Sequence, residues 1–155
     1  MHNMGIFIST YVNKLDDKNR LSVPAPFRSI IETEGSMIVY GYCSFVNNAI
    51  EVCTEKRMRE LQGYIEDLDI FSLERDALET AILGGAELLN IDSKGRIVLP
   101  ERLIKFGNIK NEAAFVGKGK TFEIWPIEEF LEHSKKSRDY AISKKITLKQ
   151  KRGVE

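Results

Sequence analysis

LDDKNRLSVP, residues 15–24, returns in the same chain as IDSKGRIVLP, residues 91–100. Asp16 matches Asp92, Lys18 matches Lys94, Arg20 matches Arg96 and Pro24 matches Pro100, while Leu15/Ile91, Leu21/Ile97 and Val23/Leu99 keep apolar character. Asp-Asp-Lys-Asn and Asp-Ser-Lys-Gly are tight-turn compositions, and Asn19 and Gly95 occupy the corresponding place where a positive φ is tolerated, with asparagine the more strained of the two. After the turn, Leu21 and Val23, or Ile97 and Leu99, alternate with Arg20 and Ser22, or Arg96 and Val98, the period of a half-buried strand. The β-branched and apolar sequence ahead of each turn, residues 6–12 and 87–91, reads as a first strand. Each copy therefore predicts a β-hairpin.

The two copies stay parallel further out. Pro24 and Pro100 suit the first turn of a helix, since the missing N–H would have no partner there. Phe27, Ile30 and Ile31 share a helical face in one copy, Leu103, Ile104 and Phe106 in the other, with Gly35 and Gly107 as stops. Two more strands follow, residues 37–40 and 49–53, then 113–117 and 121–125, with Gly41 aligned to Gly117. CSFVNNAIEV exceeds KGKTFEI by about four residues, a length change expected at a hairpin tip. A unit of about forty-five residues buries little alone, so two copies are expected to pair their sheets around one core.

Helical sequence separates and follows the copies. Thr54 can cap a helix carrying Met58, Leu61, Ile65 and Leu68; Ser72 can cap another carrying Leu78, Ala81 and Ile82, ended by Gly84-Gly85; Pro126 opens a third with Phe130 and Leu131. The expected fold is α+β, mainly β with short helices. Its divisions are residues 7–54, a helical connector 55–83, residues 84–127, and a terminal helix with basic tail, 128–155.

Composition sets the class. Of 155 residues, 43% are hydrophobic and 30% charged, as in a folded soluble protein. The apolar run at residues 4–8 is too short for a signal-peptide core, and no stretch approaches a membrane span, which points to a cytoplasmic location with no membrane partner. Cys43 and Cys53, with only His2 and His133 beside them, make a poor metal set and read as buried or half-buried thiols. The net charge is +0, yet it is unevenly spread. Residues 133–155 hold eight basic side chains against Asp139 and Glu155, a balance of +6, so residues 1–132 carry −6. A basic tail of this kind suits a solvated terminus and nucleic-acid attraction equally.

Catalytic motifs find no support. GKGKT, residues 117–121, ends like a phosphate-binding loop, but Ala114 stands where the earlier glycine belongs, and FEIW after it is a strand instead of the required helix. The pairs Asp16-Asp17 and Glu66-Asp67 sit in a turn and on a solvated helix, with nothing to raise a pKa. No nucleophile has a matching histidine. No catalytic residue, metal, cofactor or small-molecule substrate is expected.

What remains is the duplicated Asp-x-x-x-Arg turn. An aspartate opening a turn can accept backbone N–H bonds and brace the arginine, whose planar fork suits phosphate oxygens or the O6 and N7 acceptors of guanine. Lys18 and Lys94 add charge for phosphate. The expected DNA-binding residues are Lys18, Arg20, Lys94 and Arg96, with Asp16, Asn19, Asp92 and Gly95 organising the turns. Either ion pair considered alone could equally be a structural bridge fixing its turn. The paired arginines also fit an oligomeric module that binds an acidic protein partner, with a nucleotide-dependent enzyme as a remote third reading.

LDDKNRLSVPAPFR, GGAELLNIDSKGRIVLP and FVGKGKTFEIW resemble the corresponding segments of the MraZ family of bacterial transcriptional regulators, built from two tandem SpoVT-AbrB-like domains. The resemblance spans about residues 5–125. It implies swapped-hairpin-type β units forming a pseudo-symmetric, double-psi-like barrel, with protomers assembled into a homo-oligomeric ring. It further implies binding to direct repeats in double-stranded promoter DNA upstream of the protein's own division and cell-wall gene cluster, chiefly as a repressor. Two features depart from the family pattern: Asn19 replaces the usual turn glycine, and the segment around CSFVNNAIEV differs. The first bears on the Arg20 turn, the second on ring contacts.

Overall fold

A computed structural model describes residues 5–150. In chain order it contains β1 (Thr10–Lys14), β2 (Arg20–Ser22), α1 (Ala25–Thr33), β3 (Ile38–Cys43), β4 (Ile50–Thr54), α2 (Glu55–Glu66) and α3 (Leu73–Leu78), the last running into a π-helical turn, Glu79–Leu83. Then follow β5 (Glu87–Asn90), β6 (Arg96–Val98), α4 (Glu101–Gly107), β7 (Glu112–Gly117), β8 (Phe122–Pro126) and α5 (Ile127–Ser143). The fold is mainly β with short helices.

The second hairpin of each copy forms, β3 with β4 and β7 with β8, but the hairpins expected at the two tight turns do not. Each tight turn is closed by one backbone bond, Asp16 N–H to Arg20 O at 3.0 Å and Asp92 N–H to Arg96 O at 2.9 Å, after which the strands part and pair with the other copy. β1 pairs with β7, β5 with β3, β4 with β8 and β2 with β6, all antiparallel. The result is a six-stranded sheet ordered β1-β7-β8-β4-β3-β5 and a separate two-stranded ribbon, β2-β6. This order reads the same from either end when equivalent strands are exchanged, so a pseudo-twofold axis passes between β4 and β8 and between β2 and β6. Alternation of apolar and polar residues fixes which side chains point inward but says nothing about which strand lies alongside, and a local and an exchanged pairing satisfy it equally.

Exchange merges the copies into one core. Leu21, Val23, Phe27 and Ile31 from the first copy and Ile97, Leu99, Leu103 and Phe122 from the second lie in the same buried cluster. Phe7 meets Phe27 and Phe122 edge-on, at 5.2 and 5.0 Å between ring centres. The backbone at Phe7 and Ile8 crosses so close over Gly117 that a β-carbon there would lie 2.5 Å from it, which explains why this strand end carries glycine. That crossing holds Phe7 by a bridge to Gly119, so regular β1 begins later than the sequence suggests.

The helices start where expected. Pro24, Pro100 and Pro126 precede α1, α4 and α5, and the Thr54 and Ser72 hydroxyls accept from the N–H groups of Arg57 and Arg75. Their ends differ in detail. α2 stops at Glu66, before Leu68. Gly107 is the last residue of α4, not its stop: it is buried, a β-carbon there would press on Ile50, and Asn108 instead takes the left-handed turn at φ 51°. Phe106, expected on the same face, is exposed, in contrast to buried Leu103 and partly buried Ile104. Leu131 is likewise exposed, while Phe130 packs edge-on against Trp125.

Cys53 is buried and Cys43 half-buried; burial pushes the Cys53 thiol up to about 12. His133 stacks on Trp125 at 4.6 Å, and from residue 134 to 150 every side chain is exposed. Lys151, Arg152 and Glu155 of the basic tail, and His2, lie outside the described residues.

Candidate nucleic-acid interface

The two Asp-x-x-x-Arg turns are built alike to within tenths of an ångström. In the first, Asp16 Oδ1 accepts the N–H groups of Lys18 at 3.0 Å and Arg20 at 2.8 Å, and Oδ2 accepts from Arg20 Nε at 2.6 Å. In the second, Asp92 Oδ1 accepts from the N–H groups of Lys94 and Arg96, both at 2.9 Å, and Oδ2 from Arg96 Nε at 3.0 Å. One carboxylate thus ties the turn and aims its arginine. Backbone donation from Arg20 and Arg96, foremost, with help from their side chains, holds both aspartates below the ordinary carboxyl value, because hydrogen bonds to the charged form favour it.

Asn19 and Gly95 both turn through positive φ, 61° and 80°. Asparagine is among the non-glycine residues most tolerant of that region, and its turn keeps the same closing bond, Asn19 N–H to Asp16 O at 3.1 Å against Gly95 N–H to Asp92 O at 2.9 Å. Each turn is then latched from across the axis. Gly95 O accepts the N–H of Val23 at 2.9 Å, and Asn19 O that of Leu99 at 2.8 Å. The turns are therefore not independent loops; each is held by the residue just past the other copy's ribbon strand.

Register brings the arginines together. Arg20 lies opposite Val98, Leu21 opposite Ile97, and Ser22 opposite Arg96. Leu21 and Ile97 face the core and are fully buried, so Arg20, Ser22, Arg96 and Val98 form the outer face of a single ribbon. Arg20 and Arg96 are diagonal neighbours there, roughly 7–8 Å apart at the backbone. Each guanidinium spends Nε on its own aspartate, and its Nη groups have no partner among the described residues. Lys18 and Lys94 are exposed at the turn tips.

Sequence reasoning placed these eight residues in two separate turns and missed both their union through one ribbon and two residues that support it. Asn13 donates Nδ2 to Ser22 O at 2.6 Å. Arg28 donates Nη1 to Val23 O at 2.5 Å and covers Gly95, filling the space a β-carbon would need. Both positions lie beside the repeated decapeptide, but their counterparts in the second copy, Leu89 and Ile104, share no chemistry with them, so the repeat gives no signal.

A second carboxylate pair was also invisible in sequence. Glu51 and Glu123 face each other across β4 and β8 at the pseudo-twofold axis. Glu123 takes bonds from Trp125 Nε1 at 3.0 Å and Asn47 Nδ2 at 3.3 Å, with Lys118 Nζ at 3.6 Å, and Glu51 accepts from Thr121 at 3.1 Å. Burial, aided by Glu123, pushes the Glu51 carboxyl up. These partners come from β8 itself and from the β3-β4 and β7-β8 connections. Among the described residues no group of three or more His, Cys, Asp or Glu could hold a metal ion, and no helix is long and apolar enough to cross a membrane.

Comparison with known proteins follows the same lines. Residues 82–152 match the family model described as "MraZ protein, putative antitoxin-like". The chain is 44% identical over 146 residues to the transcriptional regulator MraZ of Rickettsia rickettsii (strain Sheila Smith), covering 94% of this chain and 98% of that protein. Proteins of the same name from Rickettsia akari (strain Hartford) and Rickettsia typhi (strain ATCC VR-144 / Wilmington) are 43% and 42% identical over the same shares. The name describes a regulatory, non-enzymatic role.

Proposed function

Because the chain belongs to the MraZ family, we propose that it is a DNA-binding transcriptional regulator whose β2-β6 ribbon enters the major groove of promoter DNA. The observation that carries this reading is the outer face of the ribbon, where two aspartate-braced arginines stand diagonally opposed across a pseudo-twofold axis. A two-stranded ribbon fits a major groove about 12 Å wide, and free Nη groups suit guanine O6 and N7 or phosphate oxygens. Lys18 and Lys94, at the tips, meet the phosphates on either side. Bracing lowers the conformational cost of holding each arginine for binding.

One ribbon offers few contacts, and association must first overcome the loss of translational and rotational freedom. A homo-oligomeric ring would present several ribbons to successive direct repeats, gaining affinity through effective concentration. The target in this reading is the DNA upstream of the protein's own division and cell-wall gene cluster, where binding represses transcription in a nucleoid-associated setting. An electrophoretic shift titration on that upstream DNA tests it. We expect a shift that weakens steeply with added salt, as counterions released from phosphates require; failure to shift the fragment at low salt rejects the reading.

A further inference from the structure

The ribbon is symmetric in its arginines and asymmetric beside them. Equivalent positions in the two copies pair Ser22 with Val98, Asn13 with Leu89 and Arg28 with Ile104. Each pair is polar in the first copy and apolar in the second. Asn13 and Arg28 secure the backbone carbonyls of Ser22 and Val23, whereas Leu89 is buried in the core and Ile104 packs against it. Because opposite residues in register are Arg20 with Val98 and Arg96 with Ser22, one end of the outer face carries a guanidinium beside an isopropyl group. The other end carries a guanidinium beside a hydroxyl.

Resting on the DNA-binding reading above, we infer that Val98 is a specificity-determining residue that packs on the C5-methyl of a thymine next to the base held by Arg20, while Ser22 imposes no such requirement next to Arg96. Val98 is 56% exposed. Single exposed apolar residues are ordinary on a protein surface; this one lies opposite Arg20, whose Nη groups have no partner among the described residues, on a face otherwise formed by two arginines and a serine. In the major groove the thymine methyl is the one apolar feature that distinguishes base edges, and an aliphatic side chain is its natural partner. The two ends of the ribbon therefore read different sequences. A surface with identical ends would suit an inverted repeat, whereas unequal ends give each bound site a direction, which suits repeats that all point the same way.

The test replaces each dT of one upstream repeat, singly, with deoxyuridine, which removes only the C5-methyl. Wild-type protein should lose about three- to fivefold in affinity at one dT adjacent to a dG, the scale of one buried methyl group, and be unaffected at the others. Val98→Ser should bind the unmodified repeat more weakly by the same factor and be indifferent to that replacement. The inference is overturned if wild-type protein binds every substituted repeat equally, a measurement that needs no variant, or if a folded Val98→Ser keeps the same methyl dependence. Absence of any wild-type binding to the unmodified DNA would overturn the DNA-binding reading as well, which separates the two failures.

Discussion

Leu21 and Ile97 face each other in register at the centre of the β2-β6 ribbon, and both are fully buried. They are equivalent positions of the two copies, meeting at the pseudo-twofold axis. Their burial roofs the core and fixes the outward direction of Arg20 and Arg96 one residue away. Leu21→Ala should cost about 2–5 kcal/mol, as for other large-to-small changes in a well-filled core, measured by urea unfolding. Since the two side chains share one site, the loss in Leu21→Ala/Ile97→Ala should differ from the sum of the single losses.

Gly95 supports a second prediction. It turns through φ 80°, and a β-carbon there would lie 2.7–2.8 Å from the Arg28 guanidinium. Gly95→Ala should destabilise the fold by about 1–3 kcal/mol. Asn19→Gly, at the equivalent turn, relieves a left-handed asparagine and should change stability by less than about 1 kcal/mol. Thermal unfolding of the two variants checks the contrast.

The turn carboxylates set a pH range. Asp16 and Asp92 sit below the ordinary value of 3.8, so the native turns bind fewer protons than the unfolded chain near that value. Their contribution to stability is present above pH 3.8 and is lost as pH falls through the lower folded values. Carboxyl carbon chemical shifts followed by NMR should show both residues still ionised where a free aspartate is half protonated. Arg20→Ala should move the Asp16 midpoint upward and leave Asp92 in place.

Glu51 has the opposite sign. Its folded pKa is raised, by burial first and by Glu123 opposite it, so its ionised form is a cost that appears as pH rises through the raised value. Glu51→Gln keeps an oxygen for Thr121 and removes the facing like charges. We expect it to stabilise the protein by about 0.5–1 kcal/mol at neutral pH, the scale of a cross-strand charge effect, and to give no gain at pH 3. Thermal unfolding at the two pH values decides it.

Much of this architecture is legible in residues 15–24 and 91–100. The turn chemistry of Asp16, Asn19, Asp92 and Gly95 and the inward direction of Leu21 and Ile97 follow from local rules; in the structure Asp16 and Asp92 accept the N–H groups of Arg20 and Arg96, and Leu21 and Ile97 are fully buried. Partner choice does not follow, because exchange of strands between two similar copies leaves every local pattern intact. For the same reason the sequence showed two separate arginine turns where the structure has one ribbon carrying both. Gly107 and Phe106 illustrate a smaller failure: a glycine near a helix end reads as a stop, but here close approach to Ile50 needs the missing side chain and Asn108 makes the turn. Arg28 and the Glu51–Glu123 pair depend on contacts between segments far apart in sequence, which no local pattern encodes.

The central claim is that the ribbon grips DNA through both arginines. Its most direct test is the affinity of Arg20→Ala and Arg96→Ala for the upstream DNA, with the mass of each assembly measured under the same conditions. We predict a loss of about tenfold or more in each variant with the mass unchanged. Wild-type affinity in both variants, with assembly intact, would contradict the account.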